Sequence, residues 1–203
     1  MDVKPRKSPR QARAKATADA IIDASTQLLL DQGYDRFTTA RVAERAGVSV
    51  GSLYQYFPNK AALAAAVIDR CCDAFVADLE RALAGRPRIT LAECIRAIVD
   101  VILISHHLTP DLHRIVIELA PRIGVAEKTE RMNRRMAEGI EAVLRMHIDE
   151  IAPAIDLATA ATIIETLLVA LAHRAGTTDP APDRTDAIAR ETTAMITRYL
   201  AAR

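Results

Sequence analysis

Between Thr38 and Lys60 the chain gathers side chains suited to holding a polyanion and to reading the edges of base pairs. Tyr54 and Tyr56 carry hydroxyls at the ends of rigid arms, Lys60 supplies a cation, and Thr38 and Thr39 can offer hydroxyl and backbone N–H to a phosphate. Ser52 and Gln55 can donate to or accept from base edges, and Val50 can touch a thymine methyl. Gly51, lacking a side chain, lets a partner approach the backbone closely. Ser49 stands just ahead of them, where it can cap a helix. Of the seven aromatic residues, Tyr34, Phe37, Tyr54, Tyr56 and Phe57 fall in this neighbourhood, leaving Phe75 and Tyr199 for everything else. Aromatics serving only a core would scatter with it.

These residues need scaffolding, and the local periodicity supplies it. From about Ala12 a helical repeat places Ala18, Ile21, Ile22, Ser25, Leu28 and Leu29 on one face, with Gly33 where a C-cap glycine sits. A short helix over 39–46 turns Val42, Ala43 and Ala46 inward. Gly47-Val48-Ser49 makes a tight turn into a third helix, predicted from Val50 to about Phe57. Leu53 and Phe57, four apart, anchor that helix, while Gly51 and Gln55 lie opposite, flanked by Ser52 and Tyr54. Two short helices joined through a glycine turn, the second with an outward polar face, describe a helix-turn-helix. That motif lays its second helix in the major groove of DNA.

The rest of the 203-residue chain reads as all-α. Half of its residues are hydrophobic and only seven are glycine, a composition that favours helices. A long fourth helix is expected over 59–84, then helices near 90–106, 110–120, 125–150, 156–175 and 184–201. Breaks fall at Thr109-Pro110, at Pro121 to Gly124, at Pro153 and across 176–183. No alternating strand pattern and no repeat of fixed period emerges. The implied organisation is a flexible basic arm (1–11), a helix-turn-helix domain (12–58), a connecting helix (59–84) and a larger helical domain (85–203).

Charge divides the same way. Residues 1–60 hold ten Lys/Arg against six Asp/Glu, and the remainder seventeen against twenty. Only the front is built to meet a polyanion. Cys71, Cys72 and Cys94 form no metal-ligand spacing and read as buried thiols in a reducing compartment. The N-terminus is basic with no apolar run, and the most apolar stretch, 156–175, is interrupted by Glu165. A soluble, cytoplasmic protein with no membrane partner is expected. There is no GxSxG, no phosphate-binding glycine loop and no histidine pair at metal spacing, so neither an enzyme nor a metal or other cofactor is expected.

The stretch 34–63 resembles the DNA-binding region of the TetR (tetracycline-repressor) family of bacterial regulators. The likeness runs through Gly33-Tyr34, Thr38-Thr39, Val42-Ala43, Ala46-Gly47-Val48-Ser49, Gly51, Leu53-Tyr54, Tyr56-Phe57, Asn59-Lys60 and Leu63. Carried over by position, the family's phosphate and base contacts fall on Thr39, Val50, Gly51, Ser52, Tyr54, Tyr56 and Lys60. The position after Thr39, basic in some relatives, is Ala40. The resemblance implies a ligand-responsive transcriptional regulator, a repressor that binds a palindromic operator in double-stranded DNA as a homodimer and is released by a small-molecule effector. A competing reading is a helical protein–protein interaction module whose basic front binds an acidic partner.

The helix over 156–175 is apolar nearly all round and needs cover on two sides, either within its own domain or from a second subunit. The resemblance favours the second subunit. The stripes Ala161, Ile164, Leu168, Leu171, Ala172 and Ile188, Thr192, Met195 then become the expected dimer surface, a four-helix bundle between two copies. It also implies an effector cavity in the back domain. Among the polar candidates His106, His107, His113, Glu118, Arg122, Glu165 and His173, the expected lining is His107, His113, Glu118 and Glu165. Glu165 stands out, because a carboxylate in so apolar a helix needs a partner. Few aromatics are available there, which favours an aliphatic or amphipathic effector.

Overall fold

A computed structural model of the chain describes residues 9–83, 90–108, 110–178 and 182–201. Helix α1 spans Pro9–Arg36, α2 Thr39–Arg45, α3 Val50–Tyr54, α4 Lys60–Leu83 and α5 Leu91–Leu108. Then come α6 Pro110–Arg122, α7 Ala126–Met146, a short 3-10 turn Ile148–Glu150, α8 Leu157–Thr178 and α9 Pro182–Leu200. Among the described residues there is no strand, only an antiparallel bridge between Ile151 and Ala201 that ties the start of the α8 connection to the end of α9.

Two sequence boundaries move. Helix α1 begins at Pro9, so residues 9–11 are helical and do not belong to a flexible arm. Proline suits a first turn because the N–H it lacks has no acceptor there anyway. The remainder of the expected arm, 1–8, lies outside the described residues. At its other end α1 is interrupted by Gly33, whose φ of 70° is left-handed and costs little only for glycine.

The helices close around two cores. The front one joins Ile21, Ala24, Leu28 and Leu29 of α1 with Phe37, Val42, Ala43 and Leu53, and with Leu63, Val67, Ile68 and Cys72 of α4. It also takes Val116, Leu119 and Ala120 from α6. The division at residue 85 therefore does not follow the packing, because α6 completes the front core and also packs on α8. The back core is built on α5, whose Ile95, Ile98, Val99 and Ile102 meet Met136 and Ile140 of α7, Ile164 and Leu168 of α8, and Ile196 and Leu200 of α9. Helix α5 starts with a reciprocal cap. The Thr90 N–H donates to Glu93 Oε2 at 2.7 Å, and the Glu93 N–H donates to Thr90 Oγ1 at 3.3 Å.

Packing also corrects the expected dimer stripe. Ala161, Ile164, Leu168 and Ala172 are at most 1% exposed and belong to the back core. A side chain with no exposed surface cannot touch a second chain. These four recur at helical spacing on the face that α8 turns toward α5 and α7. Thr192 of α9 is buried as well, and Leu171 and Ile188 are half-buried against the same core. What α8 leaves outside over residues 158–170 is Ala158, Thr159, Thr162, Ile163, Thr166 and Ala170, an uncharged stretch that ends at the exposed His173 and Arg174. Met195 and Tyr199 are exposed on α9. By length and composition Leu157–Arg174 is apolar enough to cross a membrane, since two charged residues do not offset so many aliphatic ones. Its inner face is nonetheless packed into the protein core.

Candidate nucleic-acid interface

Helix α2 is capped by Thr38, whose Oγ1 accepts from the Arg41 N–H at 3.4 Å. It is pinned to α1 from the outside, because Arg45 pairs with Asp31 at 2.7 Å and Arg41 donates to Gln32. Gly47, with φ of 67°, reverses the chain, and the Val48 N–H returns to the Ala43 carbonyl at 3.0 Å. Ser49 then caps α3: its Oγ accepts from the Ser52 N–H at 3.0 Å and lies 2.9 Å from the Ser52 Oγ. Both serine hydroxyls are thus placed by each other before any partner arrives.

One residue holds α3 down. Leu53 is completely buried, while Val50, Gly51, Tyr54 and Gln55 are exposed. Tyr54 leans back over the start of α2, its hydroxyl 3.2 Å from Thr39 Oγ1, so two hydroxyls from different helices stand together. A Cβ added at Gly51 would meet nothing nearer than the Ser49 Oγ at 3.9 Å, and the backbone there is helical. The fold does not demand glycine at 51. Only something approaching from outside would benefit from its missing side chain.

Two expected contacts stand differently from the sequence reading. Helix α3 ends at Tyr54 and not near Phe57; the chain tightens so that the N–H groups of Tyr56 and Phe57 both reach the Leu53 carbonyl at 3.0 Å. Tyr56 is therefore half-buried, packed against the front core. Lys60 is engaged within the protein: its ammonium donates to the Tyr34 carbonyl at 2.8 Å and lies 4.2 Å from the centre of the Tyr34 ring. Arg122, one of the polar candidates for the effector site, also serves this junction. It pairs with Asp35 at 3.2 Å and approaches the same ring at 5.8 Å. These couplings were invisible in the sequence, since they join residues 26 positions apart in one case and 87 in the other.

Of the four residues expected to line the effector site, Glu118 and Glu165 have described side chains. Glu118 is exposed on α6, because Val116, Leu119 and Ala120 take the inner face; it does not line an interior cavity. His173 is exposed on α8. The side chains of His106, His107 and His113 lie outside the described residues. Glu165 is 7% exposed; one carboxylate oxygen accepts from the Thr166 hydroxyl at 3.2 Å and the other has no hydrogen-bond partner. Burial pushes its pKa up, opposed only by the Thr166 bond. A carboxyl whose folded pKa is raised stabilises the protein below its unfolded value, and that contribution is lost as pH rises through the folded one. Glu165→Gln is therefore expected to raise the melting temperature at pH 7 and to leave it nearly unchanged at pH 4, as read by thermal denaturation of both proteins at each pH.

Residues 21–67 match the family described as "Bacterial regulatory proteins, tetR family". Residues 90–200 match "Tetracyclin repressor-like, C-terminal domain". The chain belongs to the TetR family. Its fold is that of a TetR transcription regulator from Haloarcula marismortui (TM-score 0.77, 20% identity, covering 92% of this chain and 99% of that one). The fatty acid degradation regulator FadR from Bacillus halodurans is similar as well (TM-score 0.73, 20% identity, 95% and 97% covered). In sequence it is 32% identical over 133 residues to the nucleoid occlusion factor SlmA of Vibrio atlanticus. That alignment spans 65% of this chain and 66% of the relative. The protein is thus a TetR-family regulator with the fold of a DNA-binding transcription factor.

Proposed function

We propose that the chain is a homodimeric, cytoplasmic repressor that reads a two-fold-symmetric operator in double-stranded DNA and lets go of it when a small molecule binds among α4–α8. The observation that carries this reading is the face of α3. Leu53 alone points inward, and Val50, Gly51, Tyr54 and Gln55 present an uncharged, hydrogen-bonding surface matched to a groove. In that pose Thr38, Thr39 and Tyr54 serve phosphates, and Ser52 and Gln55 serve bases, with Ser49 orienting Ser52. Dimerisation uses the outer face of α8 around Ile163 and Ala170 together with Met195 and Tyr199 of α9. Glu165 is the polar group best placed to meet an effector. The signal reaches the reading helices through α4 and α6, the two helices that enter both halves.

The test is a gel shift against the DNA flanking the protein's own gene. Binding should be salt-sensitive and should resist nonspecific competitor. Tyr54→Phe and Thr39→Val should weaken all sequences alike, because they remove phosphate contacts. Gln55→Ala should lose about 1–3 kcal/mol on the preferred site and little elsewhere. Lys60 is a poorer probe than its charge suggests, since replacing it also frees the Tyr34 carbonyl. Equal affinity for scrambled duplex would favour an interaction module that binds an acidic protein.

A further inference from the structure

We propose that Cys94, His147 and Glu150 form a reactive site at which the Cys94 thiol adds to a small α,β-unsaturated carbonyl compound. The three residues come from separate places: Cys94 from the first turns of α5, His147 from the end of α7, and Glu150 from the 3-10 turn. Cys94 Sγ lies 3.3 Å from His147 Nε2, and His147 Nδ1 lies 2.8 Å from Glu150 Oε1. Glu150 is itself fixed, accepting from the Leu91 N–H at 3.2 Å at the start of α5. A nucleophile, a base within reach and a third group orienting the base is the arrangement that activates a weak nucleophile.

The orientation sets the proton. With Nδ1–H donating to the carboxylate, Nε2 is left as the acceptor facing the thiol. The electrostatics agree, because the bond from His147 holds the Glu150 carboxyl below the usual range. As Sγ attacks the β-carbon, its proton moves to Nε2 and the C=C electron pair shifts toward the carbonyl, giving an enolate. The imidazolium then returns that proton to the α-carbon. One C–S bond forms, no group leaves and no oxidant is needed.

Addition fits the surroundings better than disulfide chemistry. The only other cysteines are Cys71 and Cys72. Both belong with the front core, whereas Cys94 belongs with the back one. No second thiol is therefore at hand to resolve an oxidised sulfur. Cys94 itself is 5% exposed and shares a buried cluster with Leu91, Ile95, Leu144 and Ile151, so the reagent must be small and largely apolar. Its polar approach runs past His147 and the more exposed Glu150, whose side chains are 16% and 46% exposed. The other two thiols make good internal controls. Burial raises both, with Cys72 pushed up to about 11.

The experiment treats the full chain with methyl vinyl ketone at pH 7 and follows each cysteine by peptide mass spectrometry. Cys94 should be modified about a hundredfold faster than Cys71 or Cys72, the range a positioned base supplies. The wild-type rate should rise with pH less steeply than the tenfold per unit of a bare thiolate, because the base takes the proton. In His147→Gln the Cys94 rate should fall by a similar factor and then climb tenfold per pH unit, as expected of bare thiolate. Should that variant misfold, the wild-type profile and the ratio among the three cysteines still decide. Labelling of Cys94 no faster than Cys72, or a wild-type rate that climbs tenfold per unit throughout, overturns the proposal. So does a folded His147→Gln protein labelled at the wild-type rate, which marks reaction through transient opening, where the base plays no part.

Discussion

Leu53→Ala is expected to abolish specific DNA binding while leaving most of the molecule helical. Leu53 is fully buried and is the only buried residue of α3, so truncating it removes that helix's hold on the front core. Loss of a buried leucine costs about 2–5 kcal/mol, with the upper end applying where neighbours cannot collapse into the gap. Phe37, Val42 and Ala43 belong to the same core cluster and are carried by α2 and the chain leading into it, which limits such collapse. The back core does not include Leu53, so α5 and α7–α9 should keep their packing. Urea denaturation followed by far-UV circular dichroism, paired with a gel shift, checks both halves. A variant that still binds its site with native affinity would show that α3 is positioned by something other than Leu53.

Ile163→Arg combined with Ala170→Arg should yield soluble monomers with almost unchanged protomer stability. Ile163 is 50% exposed and Ala170 is exposed, so neither arginine disturbs the core. Placed on a stretch that carries no charge before Arg174, however, two arginines per protomer would have to be desolvated and brought toward two more. Losing the second reading head removes the intramolecular advantage of the second half-site, so operator affinity should drop by about 10²–10⁴-fold. Light scattering after size exclusion, followed by titration with an inverted repeat, reads both effects. A wild-type protein that is monomeric at micromolar concentration would refute the assembly itself.

The front of this protein was legible because its signals are local. Gly47, Ser49 and Thr38 act within a few residues of themselves, and Leu53 announces its role through spacing alone. The helix order was legible for a similar reason, since proline and glycine mark most boundaries. Which side of α8 faces inward was not. An all-round apolar helix has no preferred face in its sequence, and only contact with α5 and α7 shows that Ala161, Ile164, Leu168 and Ala172 are interior. Tyr56 and Lys60 escaped for another reason. Their types suit phosphate, yet one is drawn to the front core by a tightened helix end and the other is held by a backbone carbonyl from Tyr34. Cys94 read only as a buried thiol, because His147 and Glu150, more than fifty positions on, become its neighbours only through the fold.

The place of α6 in the front core has a consequence for how the protein is made. Synthesis delivers α1–α4 first, but Val116, Leu119 and Ala120 must arrive before the apolar surface around Ile21 and Val67 is covered. At about 5–20 residues per second, the wait from Ile68 to Ala120 is on the order of several seconds. During that interval the reading helices exist in a nascent chain whose core is open on one side. The long sequence separation that slows folding also leaves the front core unfinished until α6 has been made.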